Sequence, residues 1–395
     1  MDEPNIVVVI IDAFRPDHLS MFGYGKETDA NLKRIAKESV LFRNQFSVSN
    51  ATAPAVTSIL SGLLPSSHGV IHQFPYTKPE EFEKVEKIGF WLPSYLKDRG
   101  YETMAFDWIS FWFEKGFDYY KESEEEIEGL FPPTKMTVDL AISKIKKAKK
   151  PFFALLHLWD THFPFPNTPY KGGGPNEADK ILADIKDEKQ RAYVNNRMNA
   201  AKLYSVQDVT NKYDETIKII DQEVGRLYDF LKSENLLENT ILVILGDHGD
   251  IIHEHGIYFS HCGLFDGSTR APMIIKLPGV KGKETSEMVQ NIDIVPTILE
   301  FLSEKTAPVF DGKSLIPLIN TGAKVRDRVF LFDGLANDVR AVRTGNKKLI
   351  VAKDSFCNLC KSSHHHGTVE YDLSKDPEET KDIFSSDSEL LKLMK

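Results

Sequence analysis

Residues 209–250 read VTNKYDETIKIIDQEVGRLYDFLKSENLLENTILVILGDHGD, and the fold class follows from this stretch. Val209, Tyr213, Ile217, Ile220, Val224, Leu227 and Leu231 step by four, four, three, four, three and four. That is one apolar face of an α-helix, with Lys, Asp and Glu turned outward. The run 240–245 that follows is apolar without alternation, as in a strand covered on both faces. Similar runs recur at 6–11, 152–158 and 273–276. Strand, helix, strand in this rhythm predicts an α/β fold with a mostly parallel central sheet flanked by helices. The last quarter differs: 329–332, 339–343, 347–351 and 369–373 are short strand candidates, and Gly345-Asn346 signals a hairpin. This predicts a catalytic domain over 1–320 and a small C-terminal antiparallel α+β subdomain over 321–395. KGGGP at 171–175, with the polar stretch to about residue 191, reads as a surface excursion.

The 395 residues carry 49 basic and 58 acidic side chains, a net charge of −9, with no long basic run. That balance argues against nucleic acid or an anionic membrane as partner. It does not exclude a small anionic substrate, because a bound cation can dominate the local field. The first charges are acidic (Asp2, Glu3) and the run at 6–11 is too short for a signal-peptide core or a membrane span. The expectation is a cytoplasmic protein. Its three cysteines, Cys262, Cys357 and Cys360, do not build a disulfide framework. Cys357 and Cys360 lie close to His364, His365 and His366, so a structural zinc there competes with a solvated loop.

Candidate chemistry collects where strands end. Asp12 closes the first strand, and ligands in open α/β sheets gather at such ends. A buried carboxylate there needs a bond or a metal, or else it is a cap. Asp17 reads as a supporting or capping group. Asp247 and His248 close the strand at 240–245 and offer hard oxygen and imidazole nitrogen to one divalent ion. Gly246 and Gly249 beside them allow close backbone approach. In SNATAPAVTSILSG, Pro54 suits a first helical turn, which puts Thr52 at a helix N-terminus. There it is either a simple N-cap or a hydroxyl primed for attack by the amides and a metal. Asp160 and His162, after the strand at 152–158, and His261 could grip a substrate oxyanion or be bland structural groups.

Taken together, these segments resemble the sulfatase branch of the alkaline-phosphatase superfamily. IIDAFRPDHLSMFGYG is similar to its first strand and metal carboxylate, TAPAVTSILSGLLPSSHGV to its nucleophile helix, and DTHFPF to its central histidine segment. The stretch through DHGD and then EHGIYFSHCGLFDGSTRAPMII is the most specific match; FDGKSLIPLI and VEYDLSKDPEETKDI resemble its linker and C-terminal signature. The resemblance implies one divalent ion (Mn, Mg, Ca or Zn) on Asp12, Asp247 and His248, with Thr52 as nucleophile and metal contact. It places His162 and His261 at catalytic, anion-binding positions and Gln73 near an anion contact. A second metal would fall on Asp160, His162 and His261.

The sequence also departs from the family pattern. Sulfatases resemble C-x-P-x-R at the nucleophile and convert its Cys or Ser to formylglycine; here the stretch is Thr52-Ala53-Pro54-Ala55-Val56. The paired Asp of the first strand is Ile11-Asp12, and AFDWISFW replaces a Lys-bearing segment. A sulfated threonine lacks the geminal hydroxyl that ejects sulfate. The expectation is therefore cleavage of phosphodiester, phosphomonoester or phosphonate substrates through a Thr52 intermediate. The alternatives are a sulfuric ester hydrolase, a phosphoryl or phosphoglycerol transferase of the same fold, and an inactive binding scaffold.

Overall fold

The computed structural model describes residues 3–107, 111–121, 131–149, 151–170, 178–304, 308–360, 362–363 and 367–394. The glycine run at 171–175 and His364–His366 lie outside them.

Eight strands build the central sheet: β1 (Asn5–Ile11), β2 (Val40–Phe46), β3 (Glu102–Phe106), β4 (Tyr119–Lys121), β5 (Phe152–Leu158), β6 (Thr240–Gly246), β7 (Arg270–Lys276) and β8 (Lys283–Gln290). Their order is β4-β3-β5-β1-β6-β7-β2-β8. Every pairing is parallel except the two made by β7. The mostly parallel α/β sheet predicted from the sequence is therefore what forms, with β7 as its one reversed strand among the described residues.

Alternation assigns each strand residue to a face. Val7, Val9 and Ile11 join one hydrophobic core with Leu242, Ile244 and Leu156. Ile6, Val8 and Ile10 join the opposite core with Val243, Leu245 and Leu155. Helices cover both faces. On the first face lie α1 (Ala30–Lys37), α3 (Thr134–Ile145) and α4 (Val206–Ser233). All seven residues of the apolar stripe read from the sequence are buried there. On the second face lie α2 (Thr52–Ser61) and α5 (Ile294–Phe301), through Ala53, Val56, Ile59, Leu60 and Val295.

The C-terminal strands β9 (Arg328–Phe332), β10 (Ala336–Thr344), β11 (Lys347–Cys357) and β12 (Thr368–Asp372) form a separate antiparallel sheet in the order β12-β11-β10-β9. It reaches the main body just ahead of α2. Phe332 N donates to Val48 O at 2.8 Å, and Asn50 bonds both Asp333 Oδ1 at 3.0 Å and Gly334 N at 2.8 Å. A Cβ on Gly334 would stand 2.4 Å from Ala51 Cβ, so only glycine fits there. Among the described residues no helix is long and apolar enough to cross a membrane.

Candidate active site

The same alternation builds the site. Asp12 continues the face of Ile6, Val8 and Ile10, and Asp247 continues that of Val243 and Leu245. Asp12 N bonds Leu158 O at 3.0 Å and Asp247 N bonds Ile11 O at 3.3 Å, so the sheet ladder carries both carboxylates past the strand ends. Both then face α2, whose first residue is Thr52. Between them the chain turns at Ala13, held in the left-handed region at φ 48. Tyr213 Oη donates to Ala13 O at 2.7 Å, which anchors this strained residue.

Thr52 is not the helix cap. Ala51 occupies that position, and its own side chain makes no capping bond. The Thr52 hydroxyl points instead to the strand ends: Oγ1 lies 3.1 Å from Asp12 Oδ1 and 3.1 Å from His248 Nε2. His248 Nδ1 sits 2.7 Å from Gly249 O, which fixes the ring and leaves Nε2 as an acceptor facing the hydroxyl. A Cβ on Gly249 would meet Gly267 O at 2.1 Å, so this turn requires glycine. Asp247 Oδ1 accepts from Ala13 N at 3.2 Å and from His248 N at 2.7 Å.

Three buried polar atoms converge on one point beside Thr52. Asp12 Oδ2, Asp247 Oδ2 and His157 Nε2 are buried without a hydrogen-bond partner among the described residues. An unpaired buried polar atom costs about 1–3 kcal/mol, and more when charged. Ligand atoms of Asp12, His157 and Asp247 lie within 4.8 Å of one another. His248 Nε2 stands 3.5 Å from Asp247 Oδ2 and 3.8 Å from Asp12 Oδ1. Two hard oxygens, imidazole nitrogens and a hydroxyl around one buried point fit a divalent cation.

His157 was not singled out in the sequence, because it lies within an apolar run. The signal was its parity: it pairs with Ile10 in the β1–β5 register, two residues before Asp12. Its Nδ1 lies 3.1 Å from Asp107 Oδ1 at the end of β3, which aims Nε2 at the carboxylates. A carboxylate behind an imidazole in this way orients a metal ligand. Asp107 belongs to the AFDWISFW segment that departs from the family pattern.

Electrostatics follow from burial. Desolvation, with Asp247 opposite, holds the Asp12 carboxyl well above its usual range. Burial pushes Asp247 up to about 6 and His248 down to about 4. In the metal-free protein Asp247 therefore binds a proton below about pH 6 that a cation must displace. Metal affinity is expected to be independent of Asp247 above that value and to weaken as pH falls through it. Calorimetric titration of chelator-treated protein on either side checks the sign through proton release.

His162 and His261 reach the same space, with ring centroids 6.4 Å apart, and His261 stacks on His248 at 4.7 Å. His261 Nδ1 is held by Asn50 O at 2.5 Å and His162 Nδ1 by Phe163 O at 2.7 Å. Burial holds both down to about 3, and the Arg197 guanidinium adds to it. Arg197 itself lies over the Phe163 ring, 4.4 Å from its centroid. Gln73 Oε1 accepts from Ala53 N at 2.8 Å, beside Thr52.

The second-metal set is not assembled. Asp160 Oδ2 accepts from Thr134 N at 2.9 Å at the start of α3, and its Oδ1 accepts from Asn167 at 2.6 Å. Asp160 is a helix-supporting carboxylate, since both of its oxygens are occupied. Asp17 is paired with Arg15 at 2.7 Å.

The eight-stranded sheet with its appended antiparallel sheet defines an alkaline-phosphatase-like α/β protein. The chain matches the family described as Sulfatase over residues 4–303, and N-sulphoglucosamine sulphohydrolase, C-terminal, over 253–395. The chain belongs to the sulfatase family. A protein named Sulfatase from Formosa agariphila is 23% identical, over 96% of this chain and 82% of that one. A solved protein in complex with its substrate D-glucosamine-2-N,6-O-disulfate superposes with TM-score 0.73 at 20% identity, covering 99% and 97% of the two chains. A phosphonate monoester hydrolase of Agrobacterium radiobacter gives 0.71 at 18%, covering 99% and 93%. Binding of a divalent metal ion is general in this family.

Proposed function

We propose that this sulfatase-family hydrolase cleaves esters of small tetrahedral oxyanions at a one-cation site, with Thr52 as nucleophile. The observation that supports this most is the Thr52 hydroxyl, 3.1 Å from both Asp12 and His248 and beside two unpartnered carboxylate oxygens. Asp12, Asp247, His248 and His157 are the residues that would hold the cation. When bound, it supplies Lewis-acid polarisation and eases ionisation of a hydroxyl.

The remaining steps belong to the chain's own groups. Thr52 Oγ1 attacks the sulfur or phosphorus atom, its proton passing to Asp12 Oδ1, and the alcohol leaves opposite. The His162, His261 and Arg197 side chains face the transferred group's oxygens. Water then cleaves the Thr52 ester and frees the anion. Neutral His162 and His261, with Nδ1 held by carbonyls, offer only a lone pair at Nε2. To grip an anion or protonate the leaving oxygen they must first gain a proton. Anion binding should therefore take up protons, and inhibition by vanadate should strengthen from about pH 8 to about pH 6. A flat or opposite pH dependence of the inhibition constant removes these two rings from the anion site.

Sulfate esters are the substrate class that the relatives favour, since most of them carry sulfatase names. This weighs against the phosphate-type preference read from the sequence. That second reading rests on Thr52 itself, which cannot become formylglycine, and on the resemblance in fold to phosphonate monoester hydrolases. Metal-supplemented assays on nitrophenyl sulfate, nitrophenyl phosphate, bis-nitrophenyl phosphate and a nitrophenyl phosphonate decide between them. Turnover dominated by the sulfate supports the first reading, and dominance of any phosphorus ester the second. No turnover with any of the four, under every cation tried, defeats the hydrolase assignment.

A further inference from the structure

Cys262 precedes Cys357 by 95 residues, and Cys360 follows three positions later, yet the three cysteines meet at one point. Cys357 ends β11, Cys360 lies in the turn behind it, and Cys262 directly follows His261. Cys262 Sγ and Cys357 Sγ stand 3.1 Å apart, and all three sulfurs lie within 4.8 Å of one another. None is in a disulfide, and their exposures are 0%, 2% and 3%. The surroundings are apolar, with Ile257, Leu264 and Leu335 in the same core.

We propose that Cys262, Cys357 and Cys360 together hold a structural zinc ion, at a site separate from the catalytic cation. Zinc binds thiolate sulfur at about 2.3 Å, so three sulfurs around it stand about 3.7 Å apart, a spacing that the observed distances bracket. The Cys-x-x-Cys turn is closed by Cys357 N on Ser362 O at 2.8 Å and by Asn358 N on Leu335 O at 2.9 Å, so its shape is set by backbone bonds. Binding releases the three thiol protons, and one zinc ion then neutralises most of the thiolate charge. The fourth coordination position belongs to a ligand outside this triad. The sequence pairs Cys357 and Cys360 with the histidines that follow them. The structure instead supplies a third thiol from the loop of the main domain.

Such an ion would clip the C-terminal sheet to the segment that carries His261, and so fix an imidazole of the active site from behind. It does not depend on the proposed reaction, and the test keeps the two apart. Full-length protein, its Asp12→Asn variant and that variant with Cys357→Ser/Cys360→Ser added are incubated with zinc, desalted and analysed for metal. Asp12→Asn protein, impaired at the catalytic site, should retain one tightly held zinc per chain, and Asp12→Asn protein that also carries Cys357→Ser/Cys360→Ser should lack it. If the serine variant does not fold, cobalt-substituted wild-type protein decides. Thiolate-to-cobalt charge-transfer bands are expected and should vanish on thiol alkylation. Asp12→Asn protein without zinc, cobalt protein without those bands, or a Cys262–Cys357 disulfide found by mass each overturns the site.

Discussion

Thr52→Ala is expected to lower turnover by at least about 10⁴-fold, the scale seen when an enzyme loses its covalent nucleophile. The fold should not register the change. Thr52 makes no capping bond, alanine suits the first turn of a helix, and the hydroxyl's partners are the catalytic groups themselves. Circular dichroism and the thermal midpoint should match wild type, whereas the rate of nitrophenyl ester release should fall to background. Thr52→Ser keeps the hydroxyl and should keep most of the activity. If Thr52→Ala retains wild-type turnover after metal loading, some other group attacks the substrate.

Loss of the cation is the second large effect, and its sign on stability differs from its sign on activity. Asp12 and Asp247 are buried, and burial raises both carboxyls above the usual range, with the Asp247 charge adding to it at Asp12. Their charged forms therefore cost stability at neutral pH in the metal-free fold, and less as the pH falls and the carboxyls protonate. Asp12→Asn removes one of the two charges. It should raise the thermal midpoint of chelator-treated protein while reducing activity by about 10³-fold or more even with metal added. Wild-type protein should behave in the opposite way, gaining about 2.7 kcal/mol at a hundredfold excess of cation over its dissociation constant. Scanning calorimetry of both proteins, with and without cation, yields four midpoints. Equal metal-induced gains in both would show that Asp12 is not a ligand.

The contrast between what the sequence disclosed and what it hid has a physical basis. Strands β1, β5 and β6 were legible because they are buried along their whole length, and helix α4 because its buried stripe repeats at helical spacing. β8 was not, since its first five residues are all polar, three of them exposed, and it lies at the sheet edge. β2 carries Arg43, Asn44 and Gln45 in mid-strand, where the pairing register shifts on both sides. Asp12, Thr52, Asp247 and His248 stood out because they interrupt or end apolar runs. His157 did the same, but inside a strand, where a single polar residue reads as structural until its register neighbour is known. Asp107 gains meaning only as the partner of that ring. The meeting of Cys262 with Cys357 is a tertiary event that local spacing cannot announce.

The close approach of Gly334 to Ala51 bears on how far this protein can be cut or recombined. The C-terminal sheet contributes none of the groups that face the substrate, so it looks dispensable on a list of reacting atoms. Yet its turn packs against Ala51 and Pro54 on either side of Thr52, and Asn50 bonds both to that turn and to His261. A fragment ending near residue 320 would keep the side chains proposed to hold the cation but leave the loop before α2 without its backing. Chimeras that exchange the last quarter with a relative should therefore work only when the residue under Ala51 has no side chain.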